Sequence, residues 1–517
     1  MNAPPLRTSR TRSRGATKVA SHLPNDSKPV ADGTAVTPDS LRTQPEAVPG
    51  ATAILASFVA DTRYEAIPLE VRHEAKRLLL DGIGCALGGY SLEAGRIAIA
   101  SFRRWGGHPG ATIAGDGTRV PSPHAAYLNA KLGNLLDMDD VLFNIAHLSP
   151  VVQWSALALG EEEDRCGREL LAAFALGFEA GARVFLALGT IFDNVDGRMV
   201  PADTTGFGHA IIGGAAACGR MLGLDAPTMI HAMGLGGMHT PAPLSHKSVT
   251  DASMAKYQMD LAASGAVVSA VLARDGYTGP ATILNDDFYA RAMARRRFEP
   301  AHLTDGLGEH WHLGLTSIKP YPHCRHTNYA LDLVRRIVEE ERLRPDEIEA
   351  IEVRGFGNYT VHPWNTYAPR NEFEAQFSLP YAVALVAAGV PAGPGWYAKE
   401  RLQNAGLAEL ARRVTAAAHP EVAKRVAAAW PEPLREVPTA VTIRARGRTF
   451  GAEDCFAIGD GFSPTHRLDD GALIRKFHSN AEATLPSHAI DALIEGVLGL
   501  ERVESLATLG RLLAAPH

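Results

Sequence analysis

The chain has 517 residues, enough for more than one domain and a large core. With 46% hydrophobic and 21% charged residues its make-up is that of a globular protein, and a net charge of −6 offers no global electrostatic reason to bind nucleic acid. The five cysteines (Cys85, Cys166, Cys218, Cys324, Cys455) are scattered without C-x-x-C or metal-ligand spacing, which argues against a disulfide framework, a zinc site or an iron–sulfur cluster.

Residues 1–47 read as a disordered tail, rich in Pro, Ser, Thr and Arg and without aliphatic periodicity. Its Arg7, Arg10, Arg12, Arg14 and Lys18 raise the alternative of a mitochondrial transit peptide, but no amphipathic pattern accompanies them, so a plain tail on a cytoplasmic protein is the expectation. From about residue 48 the chain is mostly helical. TAILASFVADT is one helix, Pro68 opens the next, which ends at Gly88-Gly89, and 93–105 is a third. HPGATIAGDGTRV reads as a small hairpin around its Asp-Gly turn.

Ser122-Pro123 opens a further helix, an N-cap residue followed by proline at the first helical position. At its C-terminal end comes NLLDMDDVLFNIAHLSP, with Asp137, Asp139 and Asp140 where the helix dipole disfavours negative charge. Ser149-Pro150 repeats the helix-start signature, so His147 lies just ahead of a helix N-terminus, which favours an anion. Acids gathered where they are disfavoured, beside an imidazole and an anion-binding helix end, mark a candidate site; solvated surface charge is the bland alternative.

The helix 168–188 follows, with Glu179 and Arg183 as an i,i+4 pair of structural character. Small residues from Ile211 to Gly219 predict a closely packed helix. No glycine-rich phosphate loop is present. A helix near 226–238, a polar loop through SMAKYQM and a helix reaching Ala273 complete this part. No membrane span is expected: the uncharged run 378–397 is broken by Pro391, Gly393, Pro394 and Gly395. Near residue 313 the texture changes. SIKPYPHC is extended before its prolines and then becomes a helix. Residues 348–353 and 440–445 alternate like half-buried strands, with helices between them, including 373–388. The last segment returns to helices.

In this order, LLLDGIGCALGGY, NLLDMDDVLFNIAHLSP, AAACGRMLGLD, SMAKYQM, GYTGPATIL, IKPYPHC and FEAQFSLPYAVA resemble the MmgE/PrpD family, which contains 2-methylcitrate dehydratases and cis-aconitate decarboxylases. The resemblance covers about residues 48–510. It implies a mainly α fold: a large helical domain built from both chain ends (48–312 and 451–517), with a smaller α+β lid domain (313–450) inserted between. It also implies a homodimer and metal- and cofactor-independent chemistry on a small di- or tricarboxylic acid, without nucleic acid or membrane as partner.

Residue by residue, the resemblance places catalytic roles on Asp137, His147, Lys256, Lys319 and Tyr359. Asp140, Thr204, Cys324, Arg325 and His326 are the substrate-binding candidates. The chain departs from decarboxylase-type members at Val141 (threonine there), near Thr204 (histidine there; His209 is five positions on) and at Cys324 (histidine there). Leu148 replaces the proline that commonly follows the motif histidine.

A polycarboxylate needs fixed cations, which Lys256, Lys319 and Arg325 can supply. His147 suits a proton carrier, because imidazole changes charge near neutral pH. Asp137 would hold the imidazole tautomer, or act as base if desolvation raised its pKa. Tyr359 would assist a leaving hydroxyl. These departures favour a 2-methylcitrate-dehydratase-type hydro-lyase. The alternatives are a cis-aconitate-decarboxylase-type carboxy-lyase, an epimerase or isomerase, and an inactive member serving as a binding or structural dimer.

Overall fold

The computed structural model describes residues 50–189, 192–195, 198–201 and 207–514. The N-terminal tail expected at 1–47 and Thr204 lie outside the described residues. The fold is a large, mainly helical body with one small mixed sheet.

Helix Leu69–Tyr90 starts behind Pro68, and its middle is buried almost all round, from Leu78 to Gly89. A helix without a solvent face is a core helix. Around it pack Ser122–Leu135, Ser149–Glu162 and, from the far end of the chain, Asp470–Ala481. Each fully buried leucine along these interfaces contributes about 1.5–3 kcal/mol. Gly167–Leu188 is long and apolar enough to cross a membrane, which the sequence did not single out, but it is buried from Leu170 to Leu188. It carries the Glu179–Arg183 pair at 2.8 Å. Arg183 also donates to the carbonyls of Asp305 and His310, and Glu179 accepts from the His312 backbone N–H and ring, so the pair ties this helix to the 302–312 segment. The small-residue helix Ala210–Met221 packs as closely as expected: a Cβ on Gly213 would stand 2.5 Å from the Gly177 carbonyl oxygen.

The sheet has the order Arg448–Asp454, Thr439–Ala445, Ile348–Gly355, Val414–Ala418. The first two junctions are antiparallel and the last is parallel. Its final strand runs past the expected boundary at residue 450. Helix Arg325–Glu340 packs against it. The expected helix 373–388 is two pieces, Glu372–Ala375 and Leu379–Ala387, because Ser378 and Pro380 restart it: the Ser378 hydroxyl accepts from the Tyr381 N–H.

The last helices return to the first. Arg77 bonds Asp470 and the Leu468 carbonyl, Lys476 pairs with Asp81 at 2.5 Å, and the Thr484 hydroxyl donates to the Leu87 carbonyl at 2.9 Å.

Candidate active site

Helix Ser122–Leu135 ends just before the acids, as expected, and the turn that follows puts Asp137 in the left-handed region (φ 52°). Val141–Leu142 then forms a short strand against Thr316–Ser317, pairing Val141 with Ser317. That ladder carries the chain of Lys319 alongside the acidic motif. A second clamp holds the same segment: the Ile318 N–H donates to the Gly459 carbonyl at 3.0 Å, and the Gly459 Cα lies so close to the Ile318 carbonyl that a side chain there would collide with it. Leu142 to Ile145 make a two-residue hairpin turn with Phe143 (φ 49°) and Asn144 (φ 63°) both left-handed, closed by Ile145 N–H to Leu142 C=O at 3.1 Å. The turn delivers His147 back beside the acids. A surface cavity lined by Phe143, Asn144, Ile145, His326, Phe356 and Trp430 opens against it.

Asp137, His147, Lys256 and Lys319 converge. Lys256 Nζ lies 3.1 Å and Lys319 Nζ 3.6 Å from Asp137 Oδ1. All three side chains are buried. Burial works to raise the Asp137 carboxyl, but Lys256, Lys319 and His147 outweigh it and hold the group well below the ordinary carboxylate range. Lys256 is lowered by burial, with Asp137 and Asp139 opposing. It sits at φ 45° and donates to the Asn134 carbonyl at 2.6 Å. Two non-glycine residues facing each other in left-handed conformations are the sort of strain that gathers at functional sites. The Lys319 ammonium has no hydrogen-bond acceptor among the described residues.

The imidazole partner is Asp139, where the sequence pointed to Asp137. His147 Nδ1 lies 2.7 Å from Asp139 Oδ2, and Asp139 Oδ1 accepts from the Asn134 amide at 2.9 Å. Because Asp137 is held ionised by two ammonium groups, its pKa moves down, against the rise expected for a base. Tyr257, which the sequence did not mark, lies against His147 in a tilted arrangement with ring centroids 5.1 Å apart, and Phe207 lies 5.3 Å away on an edge contact. Asp140 takes the Ser149 hydroxyl at 2.7 Å. Burial drives its carboxyl well above the usual range, helped by Asp139 and Asp81, which makes it the most readily protonated of the three.

The remaining candidates are placed otherwise. The Arg325 guanidinium is ion-paired with Asp460 and donates to the Ile458 carbonyl at 3.1 Å and to Asn144. The Tyr359 hydroxyl donates to the His326 carbonyl. The His326 ring stacks on Phe356 at 4.1 Å, and burial lowers its pKa to about 4. Cys324 is buried near Phe377 and Val249, its thiol pushed up to about 11 by burial and then by Asp137. His209 stacks on Phe185. Among the described residues no group of three His, Cys, Asp or Glu side chains is arranged to hold a metal ion.

Residues 53–300 match the MmgE/PrpD N-terminal domain and residues 321–501 the MmgE/PrpD C-terminal domain. The chain belongs to the MmgE/PrpD family. Within it, the chain is 25% identical to human cis-aconitate decarboxylase over 86% of this chain and 91% of that protein. The mouse cis-aconitate decarboxylase is 25% identical over 86% of this chain and 89% of its own length. A cis-aconitate decarboxylase of Aspergillus terreus is 26% identical over 53% of this chain and 57% of its own. The acidic motif and both lysines of this MmgE/PrpD chain fall inside, or within two residues of, the matched segments.

Proposed function

We propose that this protein is a lyase acting on a small polycarboxylic acid, and that its reaction is decarboxylation of a cis-aconitate-type tricarboxylate. The observation that carries the reading is Lys319, a fully buried ammonium without a hydrogen-bond acceptor among the described residues, gathered with Lys256 around one aspartate. Among the described residues Asp137 is the one carboxylate within ion-pair distance of both ammonium groups, and it leaves donors on Lys319 unmatched. A substrate carboxylate entering beside them would supply the missing acceptors.

The relatives named cis-aconitate decarboxylase support a carboxy-lyase over the hydro-lyase that the sequence favoured. The chemistry fits one proton carrier. In an allylic tricarboxylate the bond from the CH2 carbon to its carboxylate breaks and releases carbon dioxide. Its electron pair forms a new methylene double bond. The pair of the old double bond moves to the carbon next to a remaining carboxylate, and that carbon takes up a proton. His147, with Nδ1 occupied by Asp139, would deliver the proton from Nε2. Lys256 would stabilise the charge as it spreads onto the retained carboxylate, while Lys319 would grip a carboxylate throughout the reaction. Dehydration needs, in addition, an acid for the departing hydroxyl, and the Tyr359 hydroxyl assigned to that task is engaged by the His326 carbonyl.

Dehydration of a 2-methylcitrate-type acid is the second reading, favoured by Val141 and Cys324 standing where decarboxylase-type members carry threonine and histidine. A second copy of the chain is the proposed partner. Leu261 and Val268, seven residues apart on helix Met259–Arg274, are exposed on one face, as a self-association surface would need.

The test is incubation of the purified protein with cis-aconitate, 2-methylcitrate, citrate and a set of 2-hydroxy dicarboxylates, with products read by proton NMR. A dicarboxylate carrying a terminal methylene pair, formed from cis-aconitate alone, is the expected result. Olefin formation from 2-methylcitrate would select the second reading, and no turnover of any of these acids would overturn both.

A further inference from the structure

We infer that Lys476, from the C-terminal helix Asp470–Ala481, is a positioning residue of the candidate active site. Its ammonium is buried and makes two contacts: an ion pair with Asp81 at 2.5 Å and a hydrogen bond to the Met138 carbonyl at 2.7 Å. Met138 stands between Asp137, which binds both site lysines, and Asp139, which binds His147. One donor on that carbonyl therefore fixes the peptide that joins the two functional carboxylates.

The peptide needs fixing. Asp137 is held in the left-handed region, where a side chain other than glycine is disfavoured, and such a conformation persists only when its surroundings over-determine it. Asp81 in turn holds the ammonium: it comes from helix Leu69–Tyr90 and reaches Lys476 in the core. The pair is remote from the acids in sequence and carries none of the proposed chemistry itself. Its effect passes through backbone to the Asp139–His147 contact. Loss of the donor leaves a buried carbonyl unpaired and frees the turn to relax. A displacement of the order of 1 Å at a reacting group costs about 10²-fold in rate.

The inference rests on the proposed lyase reading for its kinetic arm only. Lys476→Met is made together with Asp81→Asn, so that no lone carboxylate remains in the core. Thr484→Val is the control, because it removes a different bond between the same two segments, far from the acids in the chain. For the double variant a crystal structure is expected to show the Asp139–His147 contact lengthened beyond hydrogen-bond distance and Asp137 moved from its left-handed conformation. kcat is expected to fall about 10²-fold with KM within about twofold, while Thr484→Val keeps the parental kcat. Unmoved Asp137 and Asp139 in the double variant would overturn the inference, as would a kcat loss equal to that of Thr484→Val. Should the double variant not fold, Lys476→Gln, too short to reach both partners, is read in the same two ways. If the parent protein turns over none of the acids, the lyase reading has failed, and the crystallographic arm still decides this one.

Discussion

Asp139 and His147 are in direct contact, Oδ2 to Nδ1 at 2.7 Å, while the other oxygen of Asp139 is taken by Asn134. A carboxylate anchored at both oxygens cannot swing away, so the imidazole is held in one orientation, with Nδ1–H directed at Asp139 and Nε2 left to carry the proton that is transferred. His147→Gln is therefore expected to lower kcat by about 10²–10⁴-fold, the range for a lost general acid or base. Asp139→Asn should fall in the same range, because an amide turned to donate would displace the Nδ1 proton. Steady-state kinetics on protein with parental circular dichroism checks both. Parental activity in either variant would remove His147 from the reaction.

Lys319 acts on binding in a different way. It touches Asp137 at 3.6 Å and has no hydrogen-bond acceptor among the described residues, so its ammonium serves the incoming carboxylate in the ground state and in the transition state alike. An interaction made equally in both raises KM when it is lost and leaves kcat nearly unchanged. Lys319→Ala should show that split, and a variant that loses kcat at constant KM would show instead that Lys319 binds only the transition state.

Tyr359 should matter little. Its hydroxyl donates to the His326 carbonyl, and a bond of that kind is worth about 0.5–1.5 kcal/mol net. Tyr359→Phe is expected to retain activity within about tenfold, read from kcat/KM. A larger loss would place the hydroxyl in the chemistry after all.

What could be read from the chain, and what could not, divides by range. The acidic motif and His147 were legible because two helix boundaries bracket them within one short stretch, and the signals for those boundaries are local. The choice between Asp137 and Asp139 was not legible. It depends on a left-handed Asp137 and on the ladder of Val141–Leu142 with Thr316–Ser317, strands too short to leave a periodicity. Val414–Ala418 escaped for a different reason: its alanine-rich composition favours a helix, and only pairing with Ile351–Gly355 makes it a strand. Lys476 and Asp81 sit on ordinary helices from the two ends of the chain, and nothing in either helix alone points to the other. Arg325 read as a free cation because Asp460, its partner, is far along the sequence.

The pair buried in helix Gly167–Leu188 gives a stability prediction. Glu179 and Arg183 are both inside the protein, and their remaining polar atoms are spent on the 302–312 segment. Arg183→Met would leave Glu179 as a buried carboxylate short of its cation, a change that costs about 3–5 kcal/mol. Urea denaturation should show the midpoint falling by a corresponding amount. A loss under about 1 kcal/mol would show that His312 and the backbone donor alone satisfy Glu179.

Asp140 makes the sharpest statement about pH. Burial raises its carboxyl well above the ordinary value, with Asp139 and Asp81 adding to the rise and the Ser149 hydroxyl opposing it. A group whose pKa is higher folded than unfolded binds its proton more tightly in the native state. Its contribution to stability is complete below the unfolded value of about 3.9 and is lost as pH rises toward the folded value. Asp137 runs the other way: its pKa is depressed, so its contribution is present above about 3.9 and disappears only in strong acid. Asp140→Asn keeps the size of the neutral acid and an oxygen for Ser149, but cannot ionise. The variant should match the parent in thermal midpoint near pH 4. It should then gain on the parent as pH rises from there toward the raised folded value, with Asp137 contributing equally to both proteins over that span. Melting curves across the pH series provide the measurement. A variant that loses ground to the parent as pH rises would mean that the folded protein does not raise the Asp140 carboxyl.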